Sequence, residues 1–196
     1  MTHDPAPRSR TTPADPDLSD VRAAQADRAA FGILYRRYLD RVYGYSFYLL
    51  GDHHDAEDAT ERTFLADLGA IGGFRDQGAT FRSWLFRIAH NQVANALRSR
   101  QRRATSPLDL VEEPTGADDP AAALAASEEA RRVRRALAGL PEDRRQVLVL
   151  RFVDGLTARE IGAVLDRNEG AVRVLQHRAL RELGSVLDRW ESPEGV

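Results

Sequence analysis

Residues 157–183, TAREIGAVLDRNEGAVRVLQHRALREL, decide how this chain is read. Thr157 with Glu160 three residues on is a capping box: the hydroxyl accepts from the backbone of the first turn, and the carboxylate reaches back to the threonine N–H. The short helix it opens runs to about Leu165. A tight turn, Asp166-Arg167-Asn168, leads into a longer helix from about Glu169 to Trp190, with Val172, Leu175, Ala179, Leu183 and Val186 at steps of three and four. A capped short helix, a tight turn and a longer basic helix make a helix-turn-helix, in which the first helix braces the second against the major groove. Arg173, His177 and Arg178 on the outer face, with Arg167 and Asn168 at the turn, are the candidates for DNA contact. An ordinary hairpin in a helical bundle has no need of that basic face. Spacing leaves all five open between phosphate contacts, which position, and base contacts, which specify.

Helical signals continue upstream. Pro141 suits the first turn of a helix carrying Val147, Leu148, Leu150 and Phe152, and a further helix starts near Ser127. Before it, residues 104–126 hold acids, Pro-containing turns and little periodicity, the pattern of a linker. Earlier still, FRSWLFRIAHNQVANALRSRQRR (81–103) belongs to a long helix from about Thr80 to Arg102, with Trp84, Leu85, Ile88, Ala89, Val93 and Leu97 on one side. Phe81, His90, Asn91 and Asn95 interleave there with Arg82, Arg87 and Arg98. Aromatic faces stack unpaired bases while Arg follows the backbone, which suits single-stranded nucleic acid; the alternative is a core helix with a solvated basic face. Glycines bracket the loop GGFRDQGA (72–79), which displays Phe74 and Arg75. DAEDATERTFLADL (55–68) reads as an acidic helix with Asp55 as its N-cap, Asp58 in the first turn and a Phe64/Leu65 patch. It suits docking of a basic partner helix, and equally a solvated acidic face. Phe31, Leu34, Tyr35, Tyr38, Val42, Tyr45 and Leu49 mark one more amphipathic helix, ended by Gly51. No strand-like alternation is found. The expectation is an all-α chain of two small helical domains joined by a flexible acidic linker: 1–24 a disordered tail, 25–103 and 127–190 the domains, 191–196 a short tail.

Composition narrows the function classes. At 196 residues there is room for one or two small domains. Aromatics are only 7 %, so the cores are expected to be mostly aliphatic. The absence of Cys excludes a disulfide framework, a thiolate zinc site and a cysteine nucleophile. All 28 basic residues are Arg, which fits planar contacts to phosphate and guanine and fits a GC-rich coding sequence equally well. The net charge of −2 hides its arrangement: residues 80–103 carry six Arg and no acid, and 104–129 carry seven acids and no Arg. No apolar run approaches the ~18 residues of a membrane span, and residues 1–17 lack the apolar core of a signal peptide. A cytoplasmic protein without membrane insertion is expected. His53-His54-Asp55 presents no chelating face, and no phosphate loop, nucleophile elbow or carboxylate pair stands out. Neither metal, cofactor nor catalysis is expected.

In this order, the three segments resemble a bacterial RNA polymerase sigma factor of the sigma-70 family, in its small two-domain, extracytoplasmic-function (ECF) form. The resemblance covers about residues 25–190. It implies a non-catalytic subunit with a region 2-like domain (25–103) and a region 4-like domain (127–190). Asp55, Glu57, Asp58, Glu61, Phe64 and Leu65 would then dock on the clamp helices of core RNA polymerase. Phe74, Arg75, Phe81, Arg82, Arg87, His90, Asn91, Asn95 and Arg98 would read and melt the promoter −10 element, the loop 72–79 helping to hold a flipped base. Arg167, Asn168, Arg173, His177 and Arg178 would read the −35 element. An anti-sigma factor is implied as a further partner. The linker of ~23 residues could reach at most ~75 Å, about two duplex turns of ~35 Å each, so one chain could hold both elements. Three positions depart from the pattern: Glu61-Arg62 where Gln and then an acid are usual, Asp166 where Gly is common, and Val174-Leu175-Gln176 in the recognition helix. A stand-alone helix-turn-helix regulator would explain 157–183 but leave 55–103 without a role, and a protein-binding helical scaffold would leave the Arg block unexplained.

Overall fold

A computed structural model describes residues 15–76, 78–104 and 128–191, and every regular element among them is helical. The first domain comprises α1 (Leu18–Ala26), α2 (Phe31–Leu50), α3 (His53–Ala70) and α4 (Phe81–Ala104). The second comprises α5 (Glu128–Ala138), α6 (Glu142–Leu148), α7 (Ala158–Leu165) and α8 (Glu169–Glu191). The linker, apart from Ala104, lies outside the described residues.

Each first-domain helix starts and stops for a local reason. The inward stripe of α2 is Phe31, Leu34, Tyr38, Val42, Tyr45 and Leu49, all buried. Gly51 closes the helix with a left-handed backbone (φ 74°), a conformation that costs glycine little. Asp52 then caps α3, its carboxylate accepting from the Asp55 N–H at 2.8 Å. The expected cap at Asp55 therefore moves back to Asp52, which has the extended backbone a cap requires. The inner face of α3 is small and polar, but the buried Thr60 and Thr63 hydroxyls donate to the carbonyls of Ala56 and Ala59 at 2.7 Å. Thr80 caps α4 by accepting from the Ser83 N–H at 3.2 Å. Phe81, Leu85, Phe86, Ala89 and Val93 of α4 are buried.

The structure corrects the tail: α1 forms where residues up to 24 were expected to be disordered. LSDVRAAQA offers few apolar groups, and a nine-residue helix is marginal alone. Tertiary contacts hold it. Val21 and Ala24 are buried; Asp17, just before the helix, accepts from Arg37 and from the Tyr38 hydroxyl; and the Gln25 amide donates to the carbonyls of Ile71 and Phe74 at 2.9 and 3.1 Å. Asp15 accepts from the Phe81 N–H at 2.5 Å, adding a second cap to α4.

In the second domain, Leu137, Leu140, Val147, Leu148, Leu150, Leu156, Ile161, Val164, Val172 and Ala179 form an aliphatic core. After α6 the backbone passes through a π-helical turn, Val149–Val153. The capping box at α7 is present in both directions. Asp166 takes the left-handed conformation (φ 54°) that a glycine would take more cheaply. The tightest point of the motif is Gly162, where a β-carbon would lie 2.5 Å from the Arg167 carbonyl oxygen.

The two domains pack on each other. Arg82 of α4 forks onto Glu160 of α7 at 2.7 and 2.8 Å, and the Thr80 hydroxyl donates to the same carboxylate at 2.8 Å. Arg159 reaches the Gly78 carbonyl at 3.3 Å. Val153 covers Gly44 of α2, and the Arg134 guanidinium sits 5.0 Å above the Phe47 ring.

Candidate nucleic-acid interface

On α8 the buried side is set by Val172, Ala179 and Val186. Turning the helix by 100° per residue from Ala179, the middle of that side, places Gly170, His177 and Arg181 about opposite, Val174 about 140° away, and Arg173 and Arg178 about 120° and 100° away on its two flanks; all six are exposed. His177 therefore lies near the middle of the exposed face and Arg178 on its flank. Arg173 lies on the flank of that face and is held by Glu169 at 2.6 Å. Asn168 serves the helix itself, its Oδ1 accepting from the Ala171 N–H at 2.8 Å. Arg167 is exposed at the turn. Val174, which the sequence marked only as part of the Val174-Leu175-Gln176 departure, is half exposed within the basic face; the rotation of the helix was the available signal.

On α4 the exposed residues Arg87, Asn91, Asn95 and Arg98 follow at steps of four, four and three, so they form one stripe. Arg98 donates to the Asn95 Oδ1 at 2.5 Å. The other −10 candidates are placed differently. Phe81 is fully buried and Phe74 nearly so, their rings edge-to-face at 5.9 Å and both against Trp84. Neither offers a free face to a base in this structure. Arg75 turns back onto the carbonyls of Gly72 and Phe74. Arg82 is engaged with Glu160. His90 is half-buried, 3.2 Å from the Tyr45 hydroxyl, and burial lowers its pKa, so it is a neutral hydrogen-bonding group near pH 7 rather than a cation for phosphate.

Between α2 and α3 runs an apolar groove lined by Phe31, Tyr35, Leu39, Phe64, Leu65 and Leu68 and edged by Asp40, Glu57 and Glu61. Phe64 forms its floor, edge-to-face with Tyr35 at 4.8 Å, while Leu65 is 62 % exposed. Asp58 pairs with Arg62 at 3.1 Å on the surface. An exposed i, i+4 pair of this kind contributes ~0.3–0.5 kcal/mol, so Arg62 offsets part of the acidic edge. Of the expected docking residues, Glu57, Glu61, Phe64 and Leu65 line this groove, whereas Asp55 and Asp58 lie outside it.

Two buried carboxylates stand apart from these surfaces. Both oxygens of Asp67 and of Asp154 lack a hydrogen-bond partner, and burial pushes each pKa up to about 8; Arg41 and Arg82 oppose the shift at Asp154. At Glu160 burial also pushes upward, but hydrogen bonds from Arg82, Thr157 and Thr80 outweigh it and leave the carboxyl below its usual value. His53 stacks against Phe47 and bonds to the Tyr43 hydroxyl. Among the described residues no cluster of three or more His, Asp or Glu is placed to hold a metal ion, and no helix is long and apolar enough to cross a membrane.

Known proteins match both domains. Residues 34–103 match sigma-70 region 2, and residues 130–183 match sigma-70 region 4. The chain is 37 % identical over 162 residues to the ECF RNA polymerase sigma factor BldN of Streptomyces coelicolor, covering 82 % of this chain and 61 % of BldN. It is 39 % identical over 137 residues to the ECF RNA polymerase sigma factor ShbA of Streptomyces griseus subsp. griseus, covering 67 % of this chain and 72 % of ShbA. The chain thus spans about three fifths of BldN and nearly three quarters of ShbA. Among solved structures, CnrH in complex with the cytosolic domain of CnrY superposes with a TM-score of 0.69 at 28 % identity, covering 88 % of this chain and 97 % of CnrH. Both domains, in the expected order, therefore place the chain in the sigma-70 family of RNA polymerase sigma factors, in its ECF group.

Proposed function

We propose that the chain is a cytoplasmic, non-catalytic specificity subunit that binds core RNA polymerase and directs promoter-specific transcription initiation. The observation that carries this reading is the presence, in one chain, of two separate exposed helix stripes of different chemistry. Arg87, Asn91, Asn95 and Arg98 on α4 offer amides and cations without an apolar ridge. They suit the −10 element, where unpaired bases expose their edges and the backbone must be held. Opening a duplex costs ~1.4 kcal/mol per base-pair step on average, and a stacked base returns ~1–3 kcal/mol. Capture of exposed bases therefore works together with the polymerase's own grip on DNA. Phe74 and Phe81 contribute by fixing the loop and the start of α4. On α8, the convex basic face suits an intact major groove at the −35 element, with Asn168 capping the helix and Arg167 and Arg173 on its margins near phosphate.

The α2–α3 groove is the docking site for the clamp helices: Phe64 and Leu65 supply apolar contact, Glu57 and Glu61 at its edge supply charge for a basic partner, and Asp55 and Asp58 add charge elsewhere on α3. CnrH was solved holding a second protein, and an anti-sigma partner of that kind is proposed here too. The packed arrangement of the domains cannot grip two elements separated by two duplex turns, because Arg82 at the start of α4 touches α7 directly. The α4–α7 contact opens when polymerase and promoter are bound, and the linker supplies the reach.

The test is transcription reconstituted from genomic fragments with the purified chain and core polymerase, with start sites mapped. New start sites sharing upstream elements are expected. Binding of the isolated chain to duplex DNA, with initiation unaltered by its addition, would favour the stand-alone regulator instead.

A further inference from the structure

We propose that Val174 reads sequence, receiving the 5-methyl group of a thymine in the −35 element. The inference rests on the assignment of α8 to that element and concerns which base it selects. Val174 is 50 % exposed and lies on the outer face of α8, about 140° round the helix from the middle of its buried side. Its neighbours one turn away are Gly170 toward the N-terminus and His177 and Arg178 toward the C-terminus, with Arg181 beyond them in the same direction. An exposed valine alone means little, since much protein surface is apolar. This one sits in the second turn of a recognition helix, within a cationic face, where a polar side chain would be expected and where β-branching slightly disfavours the helix.

Charge complementarity commits that face to a polyanion. The Val174 side chain within it can gain only from an apolar group. Among the base edges in the major groove, the thymine methyl is the apolar group on display; the rest are hydrogen-bond donors and acceptors. Gly170 sharpens the argument. With no side chain one turn earlier, nothing on the N-terminal side stands between the helix and the base edges, and the short isopropyl group can reach them. Arg173, one of the three outer-face candidates in the sequence, lies on the flank paired with Glu169 and leaves the face beside His177 to Val174.

The experiment uses the full chain assembled with core polymerase. A promoter pool randomised across the −35 segment is selected by holoenzyme binding. Each thymine of the selected element, on either strand, is then replaced singly by uracil, which removes the methyl and keeps every hydrogen-bonding group. One replacement should weaken promoter binding about fourfold, the equivalent of one buried methyl (about 0.8 kcal/mol) at about 1.4 kcal/mol per tenfold. Val174→Ala holoenzyme should bind the thymine and uracil forms of that promoter equally. Indifference of the wild type to every replacement overturns the assignment, as does an undiminished uracil penalty in Val174→Ala. A pool that yields no −35 preference at all overturns the −35 reading itself, a result distinct from a preference that ignores the methyl.

Discussion

The two domains are packed with different materials. Apart from Phe152 and Trp190, all the aromatic residues fall between Phe31 and Phe86. Tyr38, Tyr45, Phe64, Phe74, Phe81 and Phe86 are buried in the first domain, several in edge-to-face contact, whereas the described core of the second is aliphatic. The expectation of mostly aliphatic cores holds in both domains, but the buried aromatics are concentrated in the first. Aromatic pairs add ~0.5–1.5 kcal/mol beyond their buried area and fix ring orientation. In the proposed function the long helix of the first domain holds its place while DNA strands separate, which suits such packing, and the second domain grips a duplex that stays paired, for which a small braced motif suffices.

The contrast can be broken by mutation. Phe86→Ala should have the largest effect, costing about 3–5 kcal/mol. Urea denaturation should show the first domain unfolding well before the second; a single unchanged transition would remove the distinction. Next comes pH. Asp67 in the first domain and Asp154 in the second have folded-state pKa values raised to about 8, so the stability tied to their protonated forms is complete below the ordinary carboxylate pKa and lost as pH rises through about 8. Wild-type stability should fall between about pH 5 and pH 9 by on the order of 1–3 kcal/mol, the cost of an unmet buried group. Asp67→Asn should flatten the fall for the first domain only, as read by denaturant midpoints across that range. Gly162→Ala should destabilise the second domain by about 1–3 kcal/mol through overpacking against the Arg167 carbonyl; an unchanged melting profile would show that the turn can yield. The smallest effects concern function. Asn91→Ala and Arg98→Ala should each reduce open-complex formation about tenfold, within the range of a lost nucleic-acid contact, while leaving core association intact. Equal losses in both assays would remove the α4 stripe from promoter opening.

What could be read from the sequence follows the range of the interactions. The Thr157–Glu160 box, the α2 stripe and the α8 stripe lie within a few residues and were readable. So was the acidic α3, although Asp52 rather than Asp55 caps it, because only the turn at Gly51 shows which aspartate has extended backbone. Helix α1 was missed because its stability comes from Arg37, Tyr38 and the 71–74 loop, distant in sequence. Phe81 looked like a stacking residue because its neighbours are Arg82 and Arg87; its burial depends on Tyr38 and Phe74. The domain contact was unreadable for the same reason, since Arg82 and Glu160 are 78 residues apart.

Glu160 belongs to two structures at once, and this sets how the molecule comes apart. One carboxylate closes the first turn of α7 through Thr157 and also takes the Arg82 fork. In the proposed separation of the domains the largely buried fork is released to water, but the turn keeps its cap through Thr157. A seam built this way can part without fraying the helix-turn-helix beside it, so that in the proposed function the unit that reaches the upstream element arrives already folded.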